Sequence, residues 1–92
     1  MIYVDAPRPR GAPWPGGRSA HLVSDSSAAE LCSFAASIGM QSYWYQSRCY
    51  PHFDLSPRLY RKALAAGAVR VDHHGLMAAL TRLCAAAPPR LR

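Results

Sequence analysis

Ala20-His21-Leu22-Val23-Ser24-Asp25-Ser26-Ser27-Ala28-Ala29-Glu30-Leu31-Cys32-Ser33-Phe34-Ala35-Ala36-Ser37-Ile38-Gly39 is the stretch that decides the fold class. Its opening, Ala20 to Val23, suits a short strand. Ser27 followed three residues later by Glu30 is a capping box, in which hydroxyl and carboxylate satisfy orphan amides at a helix start. Leu31, Phe34, Ala35 and Ile38 recur at i, i+3, i+4, i+7, one face of a helix. Gly39 supplies the left-handed residue that stops it. The spacing predicts a strand running into a helix over 28–38.

Downstream the pattern repeats. Ser42-Tyr43-Trp44-Tyr45-Gln46 reads as an aromatic strand, and Ser56-Pro57 opens a second helix with Ser as cap and Pro at the first helical position. Leu59, Tyr60, Ala63 and Leu64 form its apolar face, and Gly67 closes it. Val69-Arg70-Val71 reads as a strand, and Asp72 caps a third helix striped by Leu76, Met77, Leu80, Leu83 and Cys84. Pro88-Pro89 is expected to end that helix. Upstream, Ile2-Tyr3-Val4 is a short strand. Residues 6–17, with Pro7, Pro9, Pro13, Pro15, Gly11, Gly16 and Gly17 around Trp14, read as an extended surface loop. Strands alternating with helices predict an α/β fold: one small domain over 1–87, a mostly parallel sheet of about four strands, and three helices. A ferredoxin-like α+β two-layer arrangement is the alternative if residues 50–54 form a full strand beside 42–46. Residues 88–92 are expected to be a flexible tail.

Composition narrows the class further. Of 92 residues 50% are hydrophobic and 17% charged, a folding sequence without an apolar run long enough to span a membrane. The start, Met1 to Asp5, lacks the basic and apolar segments of a secretory leader. Ten Arg and Lys62 against four Asp and Glu30 give a net charge of +6. Cys32, Cys49 and Cys84 are odd in number, with no C-x-x-C pair, which predicts reduced thiols and a cytoplasmic setting. Cys32 and Cys84 fall in helical patterns and are expected in the core, with Cys49 in a loop. A Gly-rich phosphate loop, a serine nucleophile elbow and an H-E-x-x-H motif are absent from the sequence.

Several segments together carry a family resemblance. They are Ile2-Tyr3-Val4-Asp5, Ala20 to Asp25, Glu30-Leu31 with Phe34-Ala35, Ile38-Gly39, Trp44-Tyr45-Gln46, Pro51-His52-Phe53-Asp54-Leu55, Arg61 to Ala65 and Gly67-Ala68-Val69. In this order the chain resembles the domain of unknown function 4031 family, a group of small bacterial and phage proteins. The resemblance runs over most of the chain. It implies no particular activity, cofactor or catalytic residue.

The few acidic residues fall at strand ends. If the strands are parallel, Asp5, Ser24, Asp25 and Gln46 share the carboxyl edge of the sheet, where ligands of open α/β sheets bind. The amides opening the first helix would then offer an anion site at the same edge. The plainer roles are caps for Asp25 and Asp72 and a turn for Asp54. His21 and His52, each close to an Asp in sequence, join the acids as candidates. Asp5, His21, Asp25, His52 and Asp54 are thus a candidate ligand set for a divalent metal that would activate water; two hydrogen-bonded structural histidines are the plainer reading. Arg8, Arg10 and Arg18 flank Trp14, and Arg48 follows Tyr43-Trp44-Tyr45, a pairing of guanidinium and aromatic groups suited to phosphates and unpaired bases. The plainer reading places Trp44 in the core of an alternating strand, with the arginines merely solvated. The expected function is a binding module for a phosphate-bearing ligand, nucleic acid or nucleotide, with Asp5, His21, Asp25, Gln46, His52 and Asp54 as the site and Arg8, Arg10, Arg18 and Arg48 for phosphate. The alternatives are a metal-dependent phosphoesterase built on the same residues, or a protein-interaction module using the Pro/Trp loop.

Overall fold

A computed structural model describes residues 1–86, and its centre is the strand within the quoted stretch. That strand, β3 (Arg18–Ser24), follows β1 (Ile2–Val4) and β2 (Arg8–Pro9) in the chain. Along one margin β3 pairs antiparallel with β1, Val4 opposite Leu22, and farther along with β2, Arg8 opposite Ser19. The chain then forms α1 (Ala28–Ser37), a short 3-10 turn at Ser42–Trp44, and β4 (Phe53–Leu55). β4 pairs antiparallel with the other margin of β3, Asp54 opposite His21. After α2 (Pro57–Ala65), β5 (Val69–Arg70) pairs parallel with β1, and α3 (His73–Ala86) completes the described residues.

The sheet is therefore five-stranded and mixed, not mostly parallel. The cause lies in residues 6–17. A parallel connection needs a crossover over the sheet, usually a helix, whereas this segment turns back on itself as a hairpin tip. The N–H groups of Arg10 and Ala12 donate to the Gly17 carbonyl at 3.0 and 3.1 Å, and Gly17 N–H donates to the Trp14 carbonyl at 3.0 Å. Pro9 is tolerated because β2 lies at the edge of the pairing order.

Residues 42–46 do not form the expected strand. Trp44 N–H bonds the Gln41 carbonyl and Tyr45 N–H that of Ser42, closing a tight turn. The margin of β3 that such a strand would need is filled by β4. The backbone pairing of the two segments is a single antiparallel bridge between Gln46 and His52, so the ferredoxin-like arrangement is not formed either.

Helices cover both faces. Ile2, Val4, Ala20, Leu22, Phe53 and Leu55 meet Leu31, Ala35 and Ile38 of the α1 region and Ala63 of α2. On the opposite face Val23 packs against Leu76, Ala79, Leu80 and Leu83 of α3. Burying each large side chain of this kind contributes about 1.5–3 kcal/mol. The α3 stripe turns Cys84 out to solvent, correcting its expected place in the core; Cys32 is half-buried and Cys49 exposed.

Helix starts follow local chemistry. Ser27 Oγ accepts the Glu30 N–H at 3.0 Å, Ser56 Oγ that of Leu59 at 3.3 Å, and Asp72 Oδ1 that of Gly75 at 2.8 Å. The capping box at Ser27 closes only one way. Glu30 accepts instead from the hydroxyls of Ser24 at 2.6 Å and Ser26 at 2.8 Å, while the Ser27 N–H donates to Ser24 Oγ at 3.1 Å. Gly39 and Gly67, at φ +90° and +106°, end α1 and α2 where a side chain would be strained. No helix among the described residues is long and apolar enough to cross a membrane. Pro88-Pro89 and the tail expected at 88–92 lie outside the described residues.

Candidate functional site

Between the pairs Val4–Leu22 and Arg8–Ser19, residues 5–7 face residues 20–21, so the ladder carries a bulge of one residue. Asp5 stands at its start and is buried. Its Oδ1 accepts the backbone N–H of His21 at 2.7 Å, in place of a ladder carbonyl, and its Oδ2 accepts from His21 Nδ1 at 2.8 Å. A carboxylate only accepts, so Nδ1 carries the proton and Nε2 is the free ring nitrogen. Arg10 reaches back from the hairpin to within 3.6 Å of Asp5 Oδ2 and donates to the Ser19 carbonyl. Burial pushes the Asp5 carboxyl up, but the two His21 hydrogen bonds and the charges of His21 and Arg10 outweigh it and hold the group below its ordinary value.

β4 adds a second row. The His52 ring lies 5.8 Å from that of His21, edge to face, and its Nδ1 donates to the Tyr50 carbonyl at 2.9 Å. Its Nε2 is 3.7 Å from Asp54 Oδ1, and Gln46 Nε2 donates to Asp54 Oδ2 at 2.7 Å. The Tyr50 ring packs 4.6 Å from His52. Burial, then the negative charges of Asp5 and Asp54, push the Tyr50 hydroxyl above its ordinary value, so it stays protonated. The bend that presents Tyr50 passes through Cys49 at φ +65°, a conformation non-glycine residues seldom adopt.

This network lies in the wall of an open cavity of about 890 Å³. His21, His52, Asp54 and Gln46 line it with Arg10 and Ser19; Ala12, Pro13 and Trp14 of the hairpin tip and Tyr43 and Trp44 of the 3-10 turn also contribute, as do Ser56 and Leu59. Tyr43 is 79% and Trp44 41% exposed, so Trp44 is not the core residue an alternating strand would make it. Trp14 is anchored through its indole N–H on the Arg18 carbonyl. A second cavity of about 580 Å³ lies beside Asp5, lined by Arg8, Arg10, Arg70 and His73 among others, so Arg10 borders both.

Of the residues singled out from the sequence, Asp5, His21, Gln46, His52, Asp54 and Arg10 come together. Asp25 does not. Because β1 and β3 are antiparallel, the end of β3 lies beside the start of β1, far along the ladder from Asp5. There Asp25 accepts from the Met1 amino group at 2.8 Å, the Tyr3 hydroxyl at 3.3 Å and Arg82 at 3.3 Å. Ser24 is consumed in the start of α1, where its Oγ accepts from the Ser26 and Ser27 N–H groups, and with β1 and β3 antiparallel the expected carboxyl-edge site is not formed. Arg8 lines the second cavity but not the first; Arg18 and Arg48 line neither. Among the described residues no group of three or more His, Cys, Asp or Glu is arranged to hold a metal ion, so the candidate ligand set is not assembled. Tyr50, Ser19 and Ser56 were not among the candidates. Tyr50, His52 and Asp54 sit at a spacing of two, the period that puts strand residues on one face, which is the signal that would have found Tyr50.

The fold and site together define a small α/β domain with a mixed five-stranded sheet, three helices and a polar, aromatic-walled cavity beside its central strand. The chain belongs to the family described as Protein of unknown function (DUF4031), whose model matches residues 2–83. No curated protein and no solved structure gives a significant match.

Proposed function

We propose that this protein binds single-stranded nucleic acid, taking an unpaired nucleotide into the cavity between the hairpin tip and the 3-10 turn. The observation that carries this reading is the wall: Trp14, Tyr43 and Trp44 from two separate segments border one opening with Arg10. Aromatic faces stack on any base, contributing about 1–3 kcal/mol each, and a guanidinium pairs with phosphate. Gln46, Ser56 and Asp54 add the donors and acceptors that a base edge requires. The net charge of +6 favours a polyanion over a neutral ligand.

Tryptophan fluorescence during titration with an unstructured oligodeoxynucleotide tests the reading. Emission should be quenched on binding, and affinity should fall linearly with the logarithm of salt concentration. Trp44→Ala should weaken binding about tenfold, the equivalent of one lost stack. An unchanged emission at low salt would refute the proposal.

A further inference from the structure

We infer that the same cavity cleaves an RNA backbone without a metal ion, with His21 as general base and His52 as general acid. This rests on the binding reading above and adds a reaction and a substrate class to it. Two imidazoles lie side by side in one cavity wall, ring centres 5.8 Å apart, with a guanidinium in the same lining. Each ring is held by its Nδ1, His21 by Asp5 Oδ2 at 2.8 Å and His52 by the Tyr50 carbonyl at 2.9 Å. That leaves Nε2 of both rings as the nitrogens that exchange protons. The Asp5–His21 pair is the arrangement that orients an imidazole base and stabilises its protonated form. Asp54 Oδ1, 3.7 Å from His52 Nε2, is the counter-charge that a protonated His52 requires.

The reaction these groups perform is an internal transesterification. His21 Nε2 takes the proton of the ribose 2′-hydroxyl as its oxygen attacks phosphorus. The bond from phosphorus to the 5′-oxygen breaks, and that oxygen takes the proton of His52. The products are a 2′,3′-cyclic phosphate and a 5′-hydroxyl, with no other reactant consumed. Arg10 supplies positive charge for the phosphorane-like transition state, the role of a preorganised cation. Asp5 is a positioning residue. The charged and titratable groups around the two rings are Asp5 and Arg10 from the first hairpin strand and its tip, and Tyr50 and Asp54 from the β4 segment.

The test uses the full chain, a chelator, and an oligodeoxynucleotide carrying one ribonucleotide, beside the all-deoxy strand. Cleavage is expected only after the ribonucleotide, leaving a 2′,3′-cyclic phosphate, with a bell-shaped pH profile. His21→Gln and His52→Gln should each slow it by about 10²-fold or more, the usual share of a general acid or base. Asp5→Asn should displace one limb of the profile. Binding of both strands without cleavage would overturn this inference and leave the binding reading standing. Absence of binding as well would overturn both. Cleavage that needs an added divalent ion, that persists in the double histidine variant, or that shows a flat pH profile in the unaltered protein would overturn the inference.

Discussion

Asp5 shows how much one side chain can decide. Its carboxylate fills the gap in a ladder, orients an imidazole and anchors an arginine from the hairpin tip. Removing it leaves the His21 amide and ring without their partner, so Asp5→Ala should cost about 1–3 kcal/mol in chemical denaturation. The pH dependence has a definite sign. Asp5 is held below its ordinary value of 3.8 in the fold, so its contribution is complete above that value and is lost as pH falls through the lower folded value. Glu30, held down first by the Ser24 hydroxyl, acts in the same direction from 4.5. Denaturation midpoints should therefore drop between about pH 5 and pH 3, and Asp5→Asn should flatten the lower part of that drop. An equal drop in Asp5→Asn would show that Asp5 contributes none of it. At this scale the sequence was informative about chemistry but not about company. A lone acid after Val4 demanded a partner, yet nothing local named His21, sixteen residues away.

Helices were legible at the scale of elements because their signals are local: Ser27, Ser56 and Asp72 cap where the pattern places them, and Gly39 and Gly67 stop. Strand pairing was not, because a segment of Pro and Gly reads the same whether it wanders or doubles back. The antiparallel turn of β1 and β2 onto β3 reversed the direction on which the carboxyl-edge site depended. The aromatic run at 42–46 misled for a related reason, since alternation describes a strand only when a free sheet margin is there to receive it. One element boundary gives a test. Gly75, in the first turn of α3, faces Val71, and a Cβ there would meet Val71 Cβ at 2.6 Å. Helix propensity favours Gly75→Ala by about 1 kcal/mol. Overlap of that size typically costs 1–3 kcal/mol, about as much or more. Gly75→Ala should lower the melting temperature, and should lower it less in a Val71→Gly chain, which lacks the overlapped Cβ. A rise in the single variant would mean that the α3 start shifts freely.

At the scale of the whole molecule, β3 is the shared wall of both cores and pairs with β1, β2 and β4. The remaining strands are two or three residues long and have little independent stability. The two faces should therefore unfold together. Leu31→Ala on one side and Leu76→Ala on the other should each cost about 2–5 kcal/mol, with one transition seen by far-ultraviolet dichroism and by tryptophan emission alike. Two separate transitions would show that α3 is an independent unit. The bulge at residues 5–7 matters on this scale as well. Along a regular strand, side chains obey odd and even: with Val4 facing α1, Asp5 faces the other way, and the even-numbered Arg8 and Arg10 would side with Val4. One supernumerary residue changes the parity, so Arg8 lies opposite Ser19, and the odd-numbered acid and the even-numbered arginines share the face of His21. What the cavity asks of the segment between Asp5 and Arg8 is thus a count more than a composition. Shortening it by one would turn the cations toward the opposite side of the sheet while leaving every residue of the site in the chain.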